Sequence, residues 1–511
     1  MGCGAPVENR LQMSSRTGWR IRQNWVSTVL LVMFAGILVW QLFLPGFIGI
    51  ADSGDFPRVA GRLCLWPKAT RVTFTYFQPD YVWSASRFWA SPYHSSETVL
   101  GWLAIHLAGA THEGAHFDIR WLGAVHVVIC LAGFAAFLAA NRKHSKAAQV
   151  IIGAIPLLLL TDVCYAALLN SFYMDAAAFC GVVLMAGAAI WISAASAPRM
   201  GQLAIFFVAA LLFVTSKTQH AIWFFFPAVF LAVSGFRLRL GGLKLASLGM
   251  AAMVACAGVY MIQSADQAYK GQAMFNLLFS RIGSEGAAAM PDLLTLGVQP
   301  DEARYLRTNS YTPGSPMRSP QFAEEFYNRT GFPKLLNWYW RHPAKTFRLV
   351  RKSLLWEEQI MRPNNLGNFR IEDGYGPRAR TDAFCVWSDM RSGLFHLAPW
   401  YFPLWYVLFT GGCVMVAARR RSPASGRLAW LALGIAALGA AEFLVSNLAD
   451  CLDMARHLLM FHACTDLTIC FAVAWAVERA AFALRRKSDG FVPQSDWTDP
   501  AKRPAEIATR G

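Results

Sequence analysis

Apolar runs long enough to cross a bilayer recur along this 511-residue chain, each with a short basic cluster close by. About 20 apolar residues match the hydrocarbon core, and inside it a backbone satisfies its own hydrogen bonds only as a helix or a closed barrel. Such runs fall at about 26–48, 120–140, 147–168, 172–195, 201–217, 219–236, 243–264, 396–418, 425–447 and 457–481. The expectation is an all-α polytopic membrane protein of about ten transmembrane helices. Composition agrees: 55% of residues are hydrophobic and 15% charged, with a mean hydropathy of +0.34, against roughly a quarter charged in soluble domains.

The formal charge of +16 would suit a nucleic-acid binder if it lay on one soluble face. Instead it is divided into loop clusters: Arg16, Arg20 and Arg22; Arg142, Lys143 and Lys146; Arg237, Arg239 and Lys244; Arg419 to Arg421; Arg485 to Lys487. With the N-terminus inside, all of these fall on one side, as cytoplasmic loops do under the positive-inside rule. Nucleic acid is excluded as a partner; membrane lipid is expected. The apolar run at the N-terminus is long enough to be retained as an anchor and has no small-x-small cleavage site after it.

The domain reading follows. Residues 1–24 are a cytoplasmic segment, and 25–264 a transmembrane core with a long first outside loop at 48–119. Residues 265–395 form an extracytoplasmic insert, 396–481 the last three spans, and 482–511 a polar cytoplasmic tail. The short apolar stretch Val99 to Ala110 cannot span, and reads as an interfacial or re-entrant helix. Within the insert, Leu335 to Trp356 mixes Trp338, Tyr339, Trp340 and Trp356 with Arg341, Lys345, Arg348, Arg351 and Lys352, as a helix lying on headgroups does. The eleven cysteines show no metal spacing and mostly lie in apolar runs. Cys3 follows no apolar run, so it is no lipoprotein cysteine. A Cys64–Cys385 bridge would join two outside segments.

Chemistry concentrates where the chain leaves the first run, at Asp52-Ser53-Gly54-Asp55-Phe56-Pro57-Arg58. Two carboxylates beside an arginine at a lipid-facing cleft can supply a general base; the alternative is that Asp52 or Ser53 caps the next helix and Arg58 solvates the interface. On the same outer face lie Asn170, Ser171, Tyr173 and Asp175; Ser216, Lys217, Gln219 and His220; and Asp450, Asp453, Arg456 and His457, followed by His462 and Asp466. Each alone suits a cap or an inter-helix hydrogen bond. Together they make a rim able to bind a phosphate and abstract a proton. Asp162 and Glu442, deeper in their helices, suit structural roles.

These residues resemble the GT-C superfamily of integral-membrane glycosyltransferases, which use polyprenyl-phosphate-linked sugars. The likeness rests on Gly54-Asp55-Phe56-Pro57-Arg58 after the first helix, the turn Thr215-Ser216-Lys217-Thr218-Gln219, and Ala455-Arg456-His457-Leu458-Leu459-Met460 opening a late helix. The layout, with its non-spanning helix in the first loop, matches over nearly the whole chain. The first motif and Asn170 to Tyr173 also look like bacterial hexose transferases of surface-glycan synthesis. Three departures stand out: no Asp-Glu pair follows the first helix, His457 replaces the usual Tyr, and there is no WWDYG-type motif.

The resemblance implies catalysis by Asp55, with Asp52 beside it, and substrate binding by Arg58, Lys217, Gln219, His220, Arg456, His457, Asn170 and Tyr173. It implies an inverting transfer from a polyprenyl-phosphate-linked sugar donor to a glycan or lipid-linked acceptor outside the cell membrane. No cofactor is called for, since a monophosphate leaving group needs only cations. Asp52 and Asp55 are too few ligands to indicate a divalent metal. Two alternatives stay open: a glycan or lipid transporter, and a polymerase or ligase whose weight would fall on Arg341 and His342.

Overall fold

The computed structural model describes residues 8–68, 74–355, 361–419, 422–449 and 452–488. Cys3, Trp356, Asp450, Cys451, part of the 419–421 cluster and the segment 489–511 lie outside these. Among the described residues, seven helices are long and apolar enough to cross a membrane. An eighth span is a pair bent by 54°, and two apolar helices are shorter. In chain order they are α1 (Glu8–Leu42), α2 (Arg120–Asn141), α3 (Lys146–Leu160, bent into Val163–Leu169), α4 (Met174–Ala194) and α5 (Met200–Val214). They continue with α6 (Phe225–Gly235), α7 (Gly241–Gln263), α8 (Tyr401–Arg419), α9 (Pro423–Ala449) and α10 (Leu459–Ser488).

All ten fall at the expected places, but four depart from simple spans. α1 stops at Leu42 because Pro45 and Gly46 (φ +82) turn the chain, so the apolar run to Ile48 is only partly helical. α3 breaks at Thr161-Asp162, where the Asp162 carboxylate caps the next turn by accepting from Cys164 N (3.0 Å). α5 and α6 are 15 and 11 residues long, or about 22 and 16 Å at 1.5 Å per residue, short of the ~30 Å core.

The two ends of the bundle differ in charge. At one end Arg237 and Arg427 both donate to Ala195 O, and His144 pairs with Glu478 (3.3 Å). The turns 51–58, 170–175, 215–220 and 453–457 meet at the other end, around one cavity. The non-spanning helix is present as Ser96–Ala108, capped by Ser95. Its Glu97 is buried against His126 of α2 (3.1 Å). His126 Nδ1 lies 2.8 Å from the Leu169 carbonyl, which can only accept, so that nitrogen holds a proton and a second one is shared between Nε2 and Glu97.

The insert has a core of its own, built on Met274, Phe275, Phe279, Leu293, Phe326, Leu335 and Trp338. Its aromatic-basic segment is not one surface helix. His342-Pro343 divides it into Phe332–Arg341 and Pro343–Leu354, and Leu335 and Trp338 turn inward while Trp340 stays exposed. The insert is tied to the bundle by Leu366–Asn368, which pairs antiparallel with Gly49–Ile50. A second tie is the helix Val386–Leu397, whose buried Arg391 pairs with Asp466 of α10. Tyr165 and Trp387 also donate to Asp466 (2.7 and 3.0 Å), and Asp162 accepts from Ser388 N. Asp466 is thus an anchor for the insert and not part of the rim. Cys64 and Cys385 are both free thiols, so no bridge joins them.

α2 and α4 meet through glycines: a Cβ on Gly133 would lie 2.7 Å from Val183 O, and one on Gly187 2.1 Å from Gly133 O. Small residues let helix backbones approach this closely. Gly187→Val should therefore lower the melting temperature in detergent, by the ~1–3 kcal/mol typical of overpacking, and an unchanged melt would contradict the contact. Removing one partner of the buried pair, as in Arg391→Met, should cost about 3–5 kcal/mol. The double variant R391M/D466L should recover much of that loss in the same melt.

Candidate functional site

The cavity of about 380 Å³ lies where the first loop, the helix ends and the insert converge. Its shape depends on how the chain leaves α1. Asn170 donates to both Leu42 O and Ile48 O (3.0 Å each), closing the end of α1. Asp52 Oδ1 then accepts from Gly54 N (2.8 Å) and Phe56 N (3.1 Å), with Gly54 at φ +97. This turn starts the single helical turn Pro57–Ala60 and buries Phe56 edge-on against Phe172 and Tyr173. Asp55 and Arg58, three residues apart, are left facing the cavity together.

Asp55 bridges two guanidiniums. Its Oδ1 is 2.9 Å from Arg58 Nη1 and its Oδ2 2.5 Å from Arg456 Nη1. Each arginine also lies over a ring, Arg58 over Tyr93 (4.4 Å) and Arg456 over Tyr173 (4.5 Å). Tyr173 in turn donates to Ser53 Oγ (2.6 Å), so both ends of the motif are fixed. Burial pushes the Asp55 carboxyl up, but Arg456 and Arg58 outweigh that and hold it below the usual carboxylate range. Asp52, half-buried and without such a partner, is raised by desolvation despite the backbone hydrogen bonds it accepts from Gly54 and Phe56.

Arg456 also faces Asp453 (3.0 Å), whose backbone is left-handed at φ 52. Lys217, buried between α5 and α6, reaches Asp175 at 3.4 Å. His457 lines the cavity; burial, then Lys217 and Arg456, push its imidazole well below the usual range, so it stays neutral. Among the described residues lining the cavity, Arg58, Lys217, Arg378 and Arg456 are cationic, and Asp55, Asp175 and Asp453 anionic. Its net charge is +1.

Six of the expected residues therefore come together: Asp55, Arg58, Tyr173, Lys217, Arg456 and His457. Four serve the scaffold instead. Asp52 and Asn170 shape the first loop, as described. Gln219 and His220 sit behind the cavity on Glu442, at 2.9 and 2.7 Å, which makes Glu442 structural. His462 packs against Phe402 and Phe461, away from the cavity, and Arg341 and His342 do not line it. Sequence reasoning missed the wall supplied by the insert: Tyr269, Gln272, Asn276, Tyr311, Asn364, Asn365 and Arg378. Polar residues in a polar segment give no signal of their own, and only the fold brings them to Asp55. Among the described residues no three His, Cys, Asp or Glu side chains gather where a metal ion could be held.

Among solved structures, the apo crystal structure of the Archaeoglobus fulgidus oligosaccharyltransferase is similar, at 13% identity and a TM-score of 0.36. The match covers 91% of this chain and 52% of that one, so the chain spans about half of that protein's length. No curated protein matches the sequence. The family model described as the YfdI N-terminal transmembrane domain matches residues 14–494. By a match over nearly its whole length, the chain belongs to the YfdI N-terminal transmembrane domain family.

Proposed function

We propose that this protein is a GT-C-type membrane glycosyltransferase that moves a sugar, a hexose by resemblance, from a polyprenyl-phosphate donor to a glycan or lipid-linked acceptor. The observation that carries the reading is Asp55, an ionised carboxylate held between two arginines in a cavity at the ends of membrane helices. Membership of the YfdI N-terminal transmembrane domain family agrees with a membrane-embedded site. By the positive-inside rule the basic end of the bundle is cytoplasmic, with both termini, and the cavity opens on the extracytoplasmic side. A phosphodiester donor carries one negative charge, which the cavity's net +1 complements.

In this reading the acceptor hydroxyl attacks the sugar C1 while Asp55 takes its proton. The bond from C1 to the phosphate oxygen breaks with inversion, and the lipid monophosphate leaves with the electron pair. Its second negative charge develops beside Arg58, Lys217 and Arg456, where preorganised cations stabilise it. The neutral His457 can donate a hydrogen bond there without adding charge.

Asp55 is a weak base while both guanidiniums hold it. An incoming phosphate competes for the same guanidiniums. As they turn to it, the burial that raises the Asp55 pKa is less opposed, and the carboxylate becomes more basic when the acceptor must be deprotonated. Substrate binding thus activates the base.

Asp55→Asn should reduce transfer by about 10²–10⁴-fold, the usual contribution of a general base. It should also bind farnesyl phosphate more tightly than the native protein, on the order of tenfold (about 1.4 kcal/mol), because a competing anion is gone. A folded variant that retains full activity removes Asp55 from the chemistry. The acid limbs supply a second test. That of kcat/KM reports the free enzyme and should lie below about 3.8, the ordinary aspartate value. The limb of kcat reports the loaded enzyme and should lie at higher pH; the opposite order would refute the exchange.

A further inference from the structure

The two walls of the cavity differ in chemistry. The wall from the bundle carries the charges, whereas the wall from the insert carries amides and phenols, with Arg378 at the exposed mouth as its one charged group among the described residues. The helix Gln267–Phe275 presents Tyr269, Gln272 and the following Asn276 on one face, three and four residues apart. That face is fixed, because on the opposite side a Cβ at Gly271 would lie 2.1 Å from Ala323 O, and the helix is pressed against Pro320–Thr330. Asn276 Oδ1 accepts from Ser310 N (2.8 Å), which sets Tyr311 at the cavity edge. Asn365 is pinned by two bonds to Ala51, one donated by Ala51 N to its carbonyl (3.1 Å) and one from its own side chain (3.3 Å). This places Asn364 beside the motif of the first loop.

Gln272 and Asn364 have no side-chain hydrogen-bond partner among the described residues, although both line the cavity. Such amides offer donors and acceptors in pairs, fixed by a rigid backbone and without charge. That is the complement of vicinal hydroxyls, and tyrosine rings nearby add faces for the apolar side of a sugar ring. A second phosphate would instead need cations, and a lipid chain would need an apolar wall.

We infer that the insert wall is an uncharged-sugar subsite in which Gln272 and Asn364 bind ring hydroxyls, opposite the phosphate-binding wall. The inference rests on the transferase reading and extends it to the part of the substrate that the charges cannot recognise. The sugar is either the one the donor carries or the terminal sugar of the acceptor.

The test compares four ligands on the full-length protein in detergent: farnesyl phosphate, its glucosyl and galactosyl phosphodiesters, and maltotriose. Gln272→Ala and Asn364→Ala remove no protein hydrogen bond, so both should melt like the native protein. Each should weaken one sugar-bearing ligand by about fivefold, as loss of a single hydrogen bond does, and leave bare farnesyl phosphate unchanged. Selective weakening of a glycosyl phosphodiester assigns the donor sugar, and of maltotriose the acceptor sugar. If neither variant alters any sugar-bearing ligand, or if both weaken bare farnesyl phosphate equally, the subsite is overturned. Arg58→Gln is the control for the underlying reading and should weaken all the phosphate-bearing ligands. If it does not, the phosphate assignment fails, while the maltotriose arm still decides the sugar wall.

Discussion

The pairing of Asp55 with Arg456 joins the first loop to the start of the last membrane helix, and the organisation of the site depends on it. Arg58 completes the bridge, and its ring partner Tyr93 comes from later in the same loop, while that of Arg456, Tyr173, precedes α4. At this degree of burial an unpaired carboxylate would be costly, and so would either guanidinium alone. The pairs therefore hold several segments in one register before any substrate arrives. They also fill the site with the protein's own anions, so under the proposed function binding is an exchange of partners and not the filling of an empty charged pocket. In the proposed reading a singly charged phosphodiester suits that balance, because a diphosphate would bring more negative charge than the net +1 offsets.

The insert completes this arrangement from above the helix ends. Two of its attachments differ in character, the short strand pair between Gly49–Ile50 and Leu366–Asn368 and the Arg391–Asp466 anchor. The first sits directly before the 52–58 motif, so the segment that positions Asp55 is also the one that positions Asn364 and Asn365. A shift of the insert would move both walls of the cavity at once. This coupling gives the low-charge wall a fixed distance from Asp55, as the proposed sugar subsite requires.

Much of this was legible in the sequence, and what was not has physical causes. The ten apolar runs specify their helices because lipid leaves the backbone no alternative, and the 52–58, 215–220 and 453–457 turns could be grouped because each follows or precedes such a run. Spacing could not separate Asp55 from Asp52: both are acids in one turn, and only the backbone geometry shows that Asp52 is spent on Gly54 N and Phe56 N. Gln219 and His220 pose a similar problem, since Glu442, which engages both, lies 223 and 222 residues away in sequence. The insert wall was illegible because amides in a soluble segment look alike whether they face water or substrate. Trp338 and Leu335 turned inward because the insert has a core to fill, which a helix on headgroups would not have had.

The shortness of α5 and α6 belongs to the same design. Ending a span early leaves backbone groups without helical partners, which hydrocarbon tolerates only where protein or a polar cavity takes over. The segment 215–224 meets that condition: Ser95 donates to Ser216 O, Ser96 N donates to Thr215 O, and the side chain of Gln219 donates to His457 O. The interruption lowers Lys217 below the plane that full-length helices would reach, into contact with Asp175 at the head of α4. A lysine is costly in lipid but not in a cavity that an anion also enters. Two truncated helices thus recess Lys217 into the bundle, where, under the proposed function, a lipid phosphate at the membrane surface meets it while its sugar reaches up to the insert.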